Sequence, residues 1–217
     1  MKRTHACVGL ILLSCFGCGE RPAGPPATQP SGSHEPAVPA APMGNVTPAP
    51  QPATLRLAVT SWDETQKRLA AHSGKVVVLD LWSTWCVPCV REFPNLVKLQ
   101  RDHADDVVCL GVNLDYSGAA GETPESFRPA VSEFLTKHGA TFENVICSDA
   151  ADEVFRRQKL GSIPAVLVYG PDGQLSKRFD NDDSLYGDEG FTYEKHIAPW
   201  VERLLEQDAG HRAAASN

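Results

Sequence analysis

The sequence has no excess of positive charge and no dense pattern of cysteines. Its 217 residues include 20 Lys and Arg against 27 Asp and Glu, which gives a net charge of −7. Because proteins that bind nucleic acids usually present a basic face, this balance argues against a nucleic-acid partner. The seven cysteines are too scattered for a disulfide-rich scaffold, and a chain of this length can build a hydrophobic core without one.

The N-terminal apolar run is too short to cross a membrane. Lys2 and Arg3 precede an apolar stretch from Ala6 to Phe16, well below the ~20 residues that span a bilayer as a helix. We therefore expect residues 1–19 to be an export signal. Export would place the protein where disulfide bonds persist.

Two cysteines follow this run in a suggestive context. Leu12-Leu13-Ser14-Cys15 resembles the cleavage box of bacterial lipoproteins, and Phe16-Gly17-Cys18 is a second candidate. The resemblance implies that Cys15 or Cys18 is lipid-modified and anchors the chain to a membrane. A plain cleaved signal is the alternative.

Residues 20–53 are rich in proline and alanine. Ten of the 17 prolines lie between Pro22 and Pro52. Such a segment cannot bury enough apolar surface to offset its ordering entropy, so we expect a disordered, extended tether. It would lead to a folded domain over residues 54–208, followed by a flexible tail over 209–217.

The folded part alternates between helix and strand patterns. Near-continuous apolar runs predict buried strands over Val76–Trp82 and Val107–Leu114. Gly170-Pro-Asp-Gly173 predicts the turn of a hairpin. The remaining predicted elements are helices over 61–72, 88–103, 123–139, 149–158 and 193–207, and strands over 145–147, 165–169 and 174–179. This order predicts an α/β sandwich with a mixed sheet and helices on both faces.

The most informative motif is Trp85-Cys86-Val87-Pro88-Cys89, which lies between a predicted strand and a predicted helix. The unpaired N–H groups at the helix start favour the thiolate form of Cys86, which can attack a disulfide. Cys89 then resolves the mixed disulfide. A structural disulfide or half of a zinc site would also suit this spacing. No second Cys-x-x-Cys or His-x-His follows to complete a metal site, so we expect neither metal nor cofactor.

The residues between the two cysteines bear on the direction of electron flow. Val87 and Pro88 supply no His or Arg that would stabilise the thiolate. We therefore predict a reductant. A reduction potential near the oxidising end, about −120 mV, would contradict this.

Asp80 lies within an apolar run, six residues before Cys86. Burial disfavours the ionised carboxylate, so we expect its pKa to be raised. A carboxyl of this kind near the cysteines can accept the proton of Cys89 during resolution. An aspartate paired locally at a sheet edge is the alternative.

The chain resembles thioredoxin-fold proteins in four segments. Trp82-Ser-Thr-Trp-Cys-Val-Pro-Cys89 is similar to the thioredoxin motif, and Cys89-Val-Arg-Glu-Phe-Pro94 resembles its continuation in the TlpA/ResA-like branch. Glu133–Gly139 resembles the insertion of that branch, and Gly161-Ser-Ile-Pro164 resembles the cis-proline loop. The resemblance covers about residues 55–205. It implies a thioredoxin-like fold and a membrane-tethered, extracytoplasmic thiol-disulfide oxidoreductase.

The resemblance also implies roles for individual residues. Glu92, one helical turn after Cys89, would tune the cysteine pair. A cis bond before Pro164 would place the Ile163 backbone beside Cys86, ready to pair with an extended substrate. The residues expected to contact substrate are Trp85, Val87, Pro88, Ile163 and Pro164. Trp82 and Trp85 are expected to pack around the pair and shield it.

The implied partners are a disulfide-containing exported protein and a membrane thiol-disulfide electron donor. Apocytochrome c is a frequent substrate in the branch, and the expected location is the periplasm or the outer face of the cytoplasmic membrane. Two other functions suit the fold. A peroxidase of the peroxiredoxin type would need a Thr-x-x-Cys context that Cys86 lacks. A copper carrier would need Cys-x-x-x-Cys with a distant histidine, and His138 and His196 lack motif context.

Two further groups of residues have simpler interpretations. Cys109 and Cys147 lie in apolar runs and are predicted to be buried as small hydrophobic residues, with a second disulfide as the alternative. The acidic loop Asp180–Asp183, with Asp188 and Glu189, lacks calcium-loop spacing and is predicted to be a solvated loop.

Overall fold

A computed structural model describes residues 54–182 and 184–215. The predicted export signal, Cys15 and Cys18, the predicted tether over 20–53, Asp183 and the last two residues lie outside the described residues.

The described residues form six β-strands and five α-helices joined by short turns. The strands are β1 Arg56–Thr60, β2 Val76–Trp82, β3 Val107–Asn113, β4 Glu143–Cys147, β5 Ala165–Tyr169 and β6 Leu175–Phe179. The helices are α1 Trp62–Ala70, α2 Val87–Asp102, α3 Arg128–His138, α4 Ala151–Gln158 and α5 Ala198–Ala215. A 3₁₀ turn over Pro124–Phe127 precedes α3, and a π-helical turn over Tyr193–Ile197 precedes α5.

The strands form one mixed sheet in the order β1-β4-β3-β2-β5-β6. The first four in this order are parallel, whereas β5 runs antiparallel to β2 and β6 antiparallel to β5. All seven residues of β2 are buried, as its continuous apolar pattern predicts for a central strand. The predicted thioredoxin-like sandwich with a mixed central sheet is confirmed.

Alternate residues of β2 face two separate hydrophobic clusters. Val76, Val78 and Trp82 pack with buried residues of α2, α3 and α5. Val77 and its alternating neighbours pack with buried residues of α1 and α4. Because side chains alternate along a strand, Asp80 lies on the same face as α2, the helix that carries the two cysteines.

Some element boundaries differ from those predicted. Strand β1 is absent from the predicted elements because it lies at the edge of the sheet, where its residues are only half-buried and give no continuous apolar run. Helix α5 continues to Ala215, so the predicted tail is helical as far as that residue. An ion pair between Asp208 and Arg212, four residues apart, and a run of alanines support this last part of the helix.

In the part of the chain that the structure describes, no helix is both long enough and apolar enough to span a bilayer.

Cys109 and Cys147 are fully buried, as predicted. Both are free thiols, so the alternative of a second disulfide between them is wrong. The reason is geometric, because Cys109 belongs to the cluster around α2 and Cys147 to the cluster on the other face of the sheet.

Candidate active site

The two cysteines lie where β2 passes through a short loop into α2. Cys86 is the N-cap of α2, and its sulfur accepts a hydrogen bond from the Cys89 N–H at 3.3 Å. The two sulfurs form a disulfide. Pro88 occupies the first turn, where the missing N–H costs no helical hydrogen bond. When the disulfide is reduced, the same N–H group stabilises a thiolate on Cys86.

Asp115, two residues after β3, holds the loop that precedes Cys86. Its Oδ1 accepts hydrogen bonds from Ser83 Oγ at 2.6 Å and Thr84 N at 2.9 Å. Its Oδ2 accepts one from Thr84 Oγ1 at 2.8 Å. Ser83 Oγ also lies 3.3 Å from the N–H of Trp85, which donates to it. Asp115 therefore fixes the backbone immediately before the disulfide, a role that no motif in the sequence predicts.

The loop before β5 approaches the disulfide from the other side. The Ile163–Pro164 peptide bond is cis, as the resemblance implied. The carbonyl oxygen of Ile163 lies 3.6 Å from Cys86 Sγ. The backbone of Ile163 and the sulfur of Cys86 thus form adjacent parts of one surface.

Asp80 lies on the face of β2 that packs against α2, and it is almost fully buried, with 4% of its surface exposed. The hydroxyl of Tyr193 donates to its Oδ2 at 2.6 Å, whereas Oδ1 has no hydrogen-bond partner among the described residues. Burial raises the pKa of Asp80 to about 7; the Tyr193 hydrogen bond opposes this rise and the charge of Glu92 adds to it. The predicted increase in pKa is confirmed. The alternative of a sheet-edge aspartate is wrong, because β2 lies between β3 and β5.

Comparison with known proteins agrees with this geometry. The family model described as Redoxin matches residues 41–189, more than half of the chain. The chain belongs to the Redoxin family.

This Redoxin-family chain is similar to curated bacterial oxidoreductases. It is 32% identical over 113 residues to the thiol-disulfide oxidoreductase ResA of Geobacillus kaustophilus, covering 52% of this chain and 58% of ResA. It is 25% identical over 128 residues to the sporulation thiol-disulfide oxidoreductase A of Bacillus subtilis, covering 58% of this chain and 72% of that protein. The chain thus spans little more than half the length of ResA. The predicted TlpA/ResA-like resemblance is confirmed.

Among solved structures, a secreted disulfide oxidoreductase of Mycobacterium tuberculosis matches with a TM-score of 0.45 and 21% identity. That match covers 63% of this chain and 85% of the other.

Glu92 contacts the π-helical turn. Its Oε2 accepts hydrogen bonds from Tyr193 N at 3.1 Å and from Asn95 Nδ2 at 3.2 Å, and Arg91 lies 3.7 Å from its Oε1. Its negative charge also contributes to the raised pKa of Asp80. The role predicted for Glu92 in tuning the cysteines themselves stays a prediction.

The two tryptophans of the motif have different environments. Trp82 is buried, and its ring lies 4.8 Å from those of Phe93 and Phe134. Trp85 is 65% exposed, so the prediction that it shields the cysteine pair by packing is wrong. The hydrogen bonds from Ser83 and Thr84 to Asp115 hold the loop in a conformation that leaves Trp85 exposed to solvent. Val87 is also exposed, at 74%, so Cys86 lies between two exposed apolar side chains.

The acidic loop after β6 is more than a solvated loop. Arg178 on β6 forms an ion pair with Asp180 and donates hydrogen bonds at 2.8 Å to the carbonyl oxygens of Gln158 and Lys159 at the end of α4. Asp182 accepts a hydrogen bond from Gly161 N at 2.7 Å. These contacts attach the acidic loop to the segment that leads into cis-Pro164. Asp188 and Glu189 are exposed, as predicted.

Residues 54–182 and 184–215 contain no cluster of three or more His, Cys, Asp or Glu side chains arranged to hold a metal ion.

Proposed function

We propose that this protein is an extracytoplasmic thiol-disulfide oxidoreductase that reduces disulfides in other exported proteins. The observation that carries the proposal is the Cys86–Cys89 disulfide at the N-terminus of α2, next to the carbonyl of Ile163. The strand that leads to it carries a buried carboxyl, Asp80, with a raised pKa. The names of the curated relatives support the same activity.

The first chemical step belongs to Cys86. In the reduced protein its thiolate, stabilised by the N–H of Cys89, attacks one sulfur of a substrate disulfide. A bond forms between Cys86 Sγ and that sulfur, the substrate S–S bond breaks, and the second substrate sulfur leaves as a thiolate that takes a proton from solvent. The product is a mixed disulfide.

The second step belongs to Cys89 and Asp80. The Cys89 thiol transfers its proton to the carboxylate of Asp80, whose raised pKa of about 7 suits it to accept one near neutral pH. The Cys89 thiolate attacks Cys86 Sγ, the internal disulfide forms, and the bond between Cys86 Sγ and the substrate sulfur breaks. The reduced substrate leaves as a thiolate that takes a proton from solvent. Two electrons pass to the substrate, and the protein returns to the oxidised form of this structure.

The exposed surface around Cys86 suits an extended polypeptide. Trp85 and Val87 offer apolar contacts beside the sulfur, and Pro88 is half-buried next to them. Across the disulfide, the Ile163 backbone before cis-Pro164 is available to pair with the main chain of a substrate. We assign substrate contact to these five residues.

The cellular setting is the broadest part of the proposal. We propose that the N-terminal segment exports the chain and that a lipid on Cys15 or Cys18 anchors it, with residues 20–53 as the tether. A membrane thiol-disulfide donor would re-reduce Cys86 and Cys89. Apocytochrome c is the first substrate to test, because its Cys-x-x-Cys must be reduced before haem attachment.

A trapping experiment tests the proposal. Replacing the resolving thiol in Cys89→Ser should stall the mixed disulfide on Cys86, and mass spectrometry of the trapped adduct would identify the partner. The matched control is Cys86→Ser, which removes the attacking sulfur and should trap nothing. Absence of any adduct with Cys89→Ser, together with peroxide consumption by the unaltered protein, would instead favour a peroxidase.

The direction of electron flow has a separate measurement. We expect a reduction potential well below −120 mV, the value of strongly oxidising members of the fold, because Val87 and Pro88 supply no cation to stabilise the thiolate. Equilibration with glutathione or dithiothreitol buffers gives this potential directly.

A further inference from the structure

We propose that Tyr193 is a positioning residue that orients the carboxyl of Asp80 so that its Oδ1 receives the proton of Cys89. This inference rests on the proposed function, since it assigns a residue to the second chemical step. Tyr193 lies 104 to 107 residues after the cysteines, and no sequence motif pointed to it.

The contact between the two side chains is direct and buried. Tyr193 is 2% exposed, and its hydroxyl donates to Asp80 Oδ2 at 2.6 Å. Oδ1 of the same carboxyl is buried and has no partner within residues 54–182 and 184–215. A buried acceptor without a donor is costly and uncommon. One oxygen of Asp80 is therefore occupied and the other is free to bind a proton.

Tyr193 is held at its backbone as well as at its hydroxyl. Its N–H donates to Glu92 Oε2 at 3.1 Å, and Glu92 is in turn held by Asn95. The residue opens the π-helical turn, a kind of irregularity that often occurs at functional sites. Attachment at both ends limits the rotation of the Tyr193 ring and hence of the carboxyl that it binds.

The bond between Tyr193 and Asp80 can persist through the reaction. Burial and the neighbouring Asp80 raise the pKa of Tyr193 well above its ordinary value, so the phenol stays a donor. When Cys89 loses its proton, an O–H bond forms at Oδ1 and the electron pair of the broken S–H bond remains on sulfur. Oδ2 continues to accept from Tyr193 in both protonation states.

The other groups that face Asp80 act on its charge. Glu92 on α2 raises the pKa of Asp80, whereas the Tyr193 hydrogen bond lowers it. Cys109 on β3 is a buried thiol whose own pKa is raised well above its ordinary value, so it stays uncharged near neutral pH. Cys86 and Cys89 are joined in a disulfide and carry no charge in this state. On β5, the residue paired with Asp80 is Val166, which does not titrate.

The test is Tyr193→Phe in the full-length protein, which removes the hydroxyl and keeps the ring. Loss of a hydrogen bond to a charged group should raise the pKa of Asp80 by about one unit. At pH values below the pKa of Asp80, the variant should then resolve a mixed disulfide about tenfold more slowly than the unaltered protein. At high pH the two rates should be equal. Carbon-13 NMR of the Asp80 carboxyl in the oxidised protein gives the titration without any turnover.

Two controls separate positioning from packing. Tyr169→Phe removes a hydroxyl from a half-exposed tyrosine on β5 that does not contact Asp80, and it should leave both the titration and the rate profile unchanged. Glu92→Gln removes a charge and keeps an acceptor for Tyr193 N, so it should shift the Asp80 titration downward. If Tyr193→Phe folds poorly, 3-fluorotyrosine at position 193 keeps the ring and the hydroxyl but makes the phenol a stronger donor. It should lower the pKa of Asp80, and an unchanged Asp80 titration would overturn the inference.

The outcomes are distinct. The inference is overturned if folded Tyr193→Phe titrates at Asp80 and resolves mixed disulfides as the unaltered protein does. It is also overturned if Tyr193→Phe shifts the rate profile equally in an Asp80→Asn background. Failure of the proposed function would look different, because disulfide reduction would then be absent in the unaltered protein or independent of Cys86.

Discussion

Two buried aspartates, Asp80 and Asp115, differ in how their oxygens are occupied. Asp80 is 4% exposed and lies on β2. Asp115 is 6% exposed and lies two residues after the neighbouring strand, β3. Asp115 accepts three hydrogen bonds, with both oxygens used. Asp80 accepts one, and its Oδ1 has no partner in the described part of the chain.

The difference contrasts a carboxylate that holds the loop before Cys86 with one that we propose to accept a proton. Donors from Ser83 and Thr84 occupy both oxygens of Asp115, and this side chain thereby fixes the loop before Cys86. Asp80 accepts a single hydrogen bond, from Tyr193, and burial of its charge is unfavourable enough to raise its pKa to about 7. The two side chains are buried to nearly the same extent and differ in the number of hydrogen bonds that they accept.

The largest effect should come from Asp80→Asn. Because the pKa of Asp80 rises from 3.8 unfolded to about 7 folded, the folded state binds more protons between these values. The protonated Asp80 therefore contributes fully to the free energy of unfolding below about pH 4, and this contribution is lost as the pH rises to about 7, where the buried carboxylate becomes charged. Asp80→Asn removes the cost of burying that charge, so relative to the unaltered protein the variant should gain about 4 kcal/mol in free energy of unfolding between pH 4 and pH 8. Urea unfolding at both pH values measures it.

The matched control for that experiment is Asp105→Asn, the same change at an exposed position. Its stability difference from the unaltered protein should be flat across the same pH range. If the stability difference between Asp80→Asn and the unaltered protein were also independent of pH, the proposed contrast between Asp80 and Asp115 would be wrong.

A somewhat smaller effect should follow from Asp115→Ala. The substitution removes three hydrogen bonds and leaves the buried Ser83 hydroxyl and the Thr84 N–H without their acceptor. Such losses destabilise proteins by about 3 kcal/mol. We expect this cost in guanidinium unfolding, with little dependence on the redox state of the cysteines. A cost below about 1 kcal/mol would show that Asp115 does not hold the loop.

The smallest effect should come from Arg178→Met, which breaks the exposed attachment of the cis-proline loop. Arg178 and Asp182 keep about a third of their side chains exposed, at 30% and 31%, so solvent weakens the pair. We expect a loss of about 1 kcal/mol, with a rise in KM for protein disulfides larger than any fall in kcat. Arg156→Met, which breaks an exposed pair on α4, is the control and should leave KM unchanged.

The features that the sequence predicts are those encoded within short segments. The apolar run of β2, the Cys86–Cys89 motif, Asp80 inside that run and the proline at 164 each have a local signature, and the fold follows from the order of such segments. The edge strand β1 has a weaker signature and was missed.

The features that the sequence did not predict depend on contacts between distant segments. The contact of Asp115 with Ser83 spans 32 residues, and that of Tyr193 with Asp80 spans 113. Arg178 reaches back 20 residues to Gln158. In the sequence, each of these residues is an ordinary polar residue without a motif. Its partner is close only in the folded sheet, so periodicity and motif spacing cannot predict the contact.

The cap at the start of α2 has a thermodynamic consequence. The sulfur that caps the helix is also the sulfur that changes oxidation state, and a hydrogen bond to a thiolate is stronger than one to a neutral sulfur. Folding and reduction therefore form a closed cycle. The reduced and oxidised proteins differ in free energy of unfolding, and this difference fixes how much the reduction potential of the cysteine pair changes on folding. The conversion is about 30 mV for each 1.4 kcal/mol. A substitution that weakens the start of α2 should therefore change the reduction potential of the cysteine pair as well as the free energy of unfolding measured with denaturant.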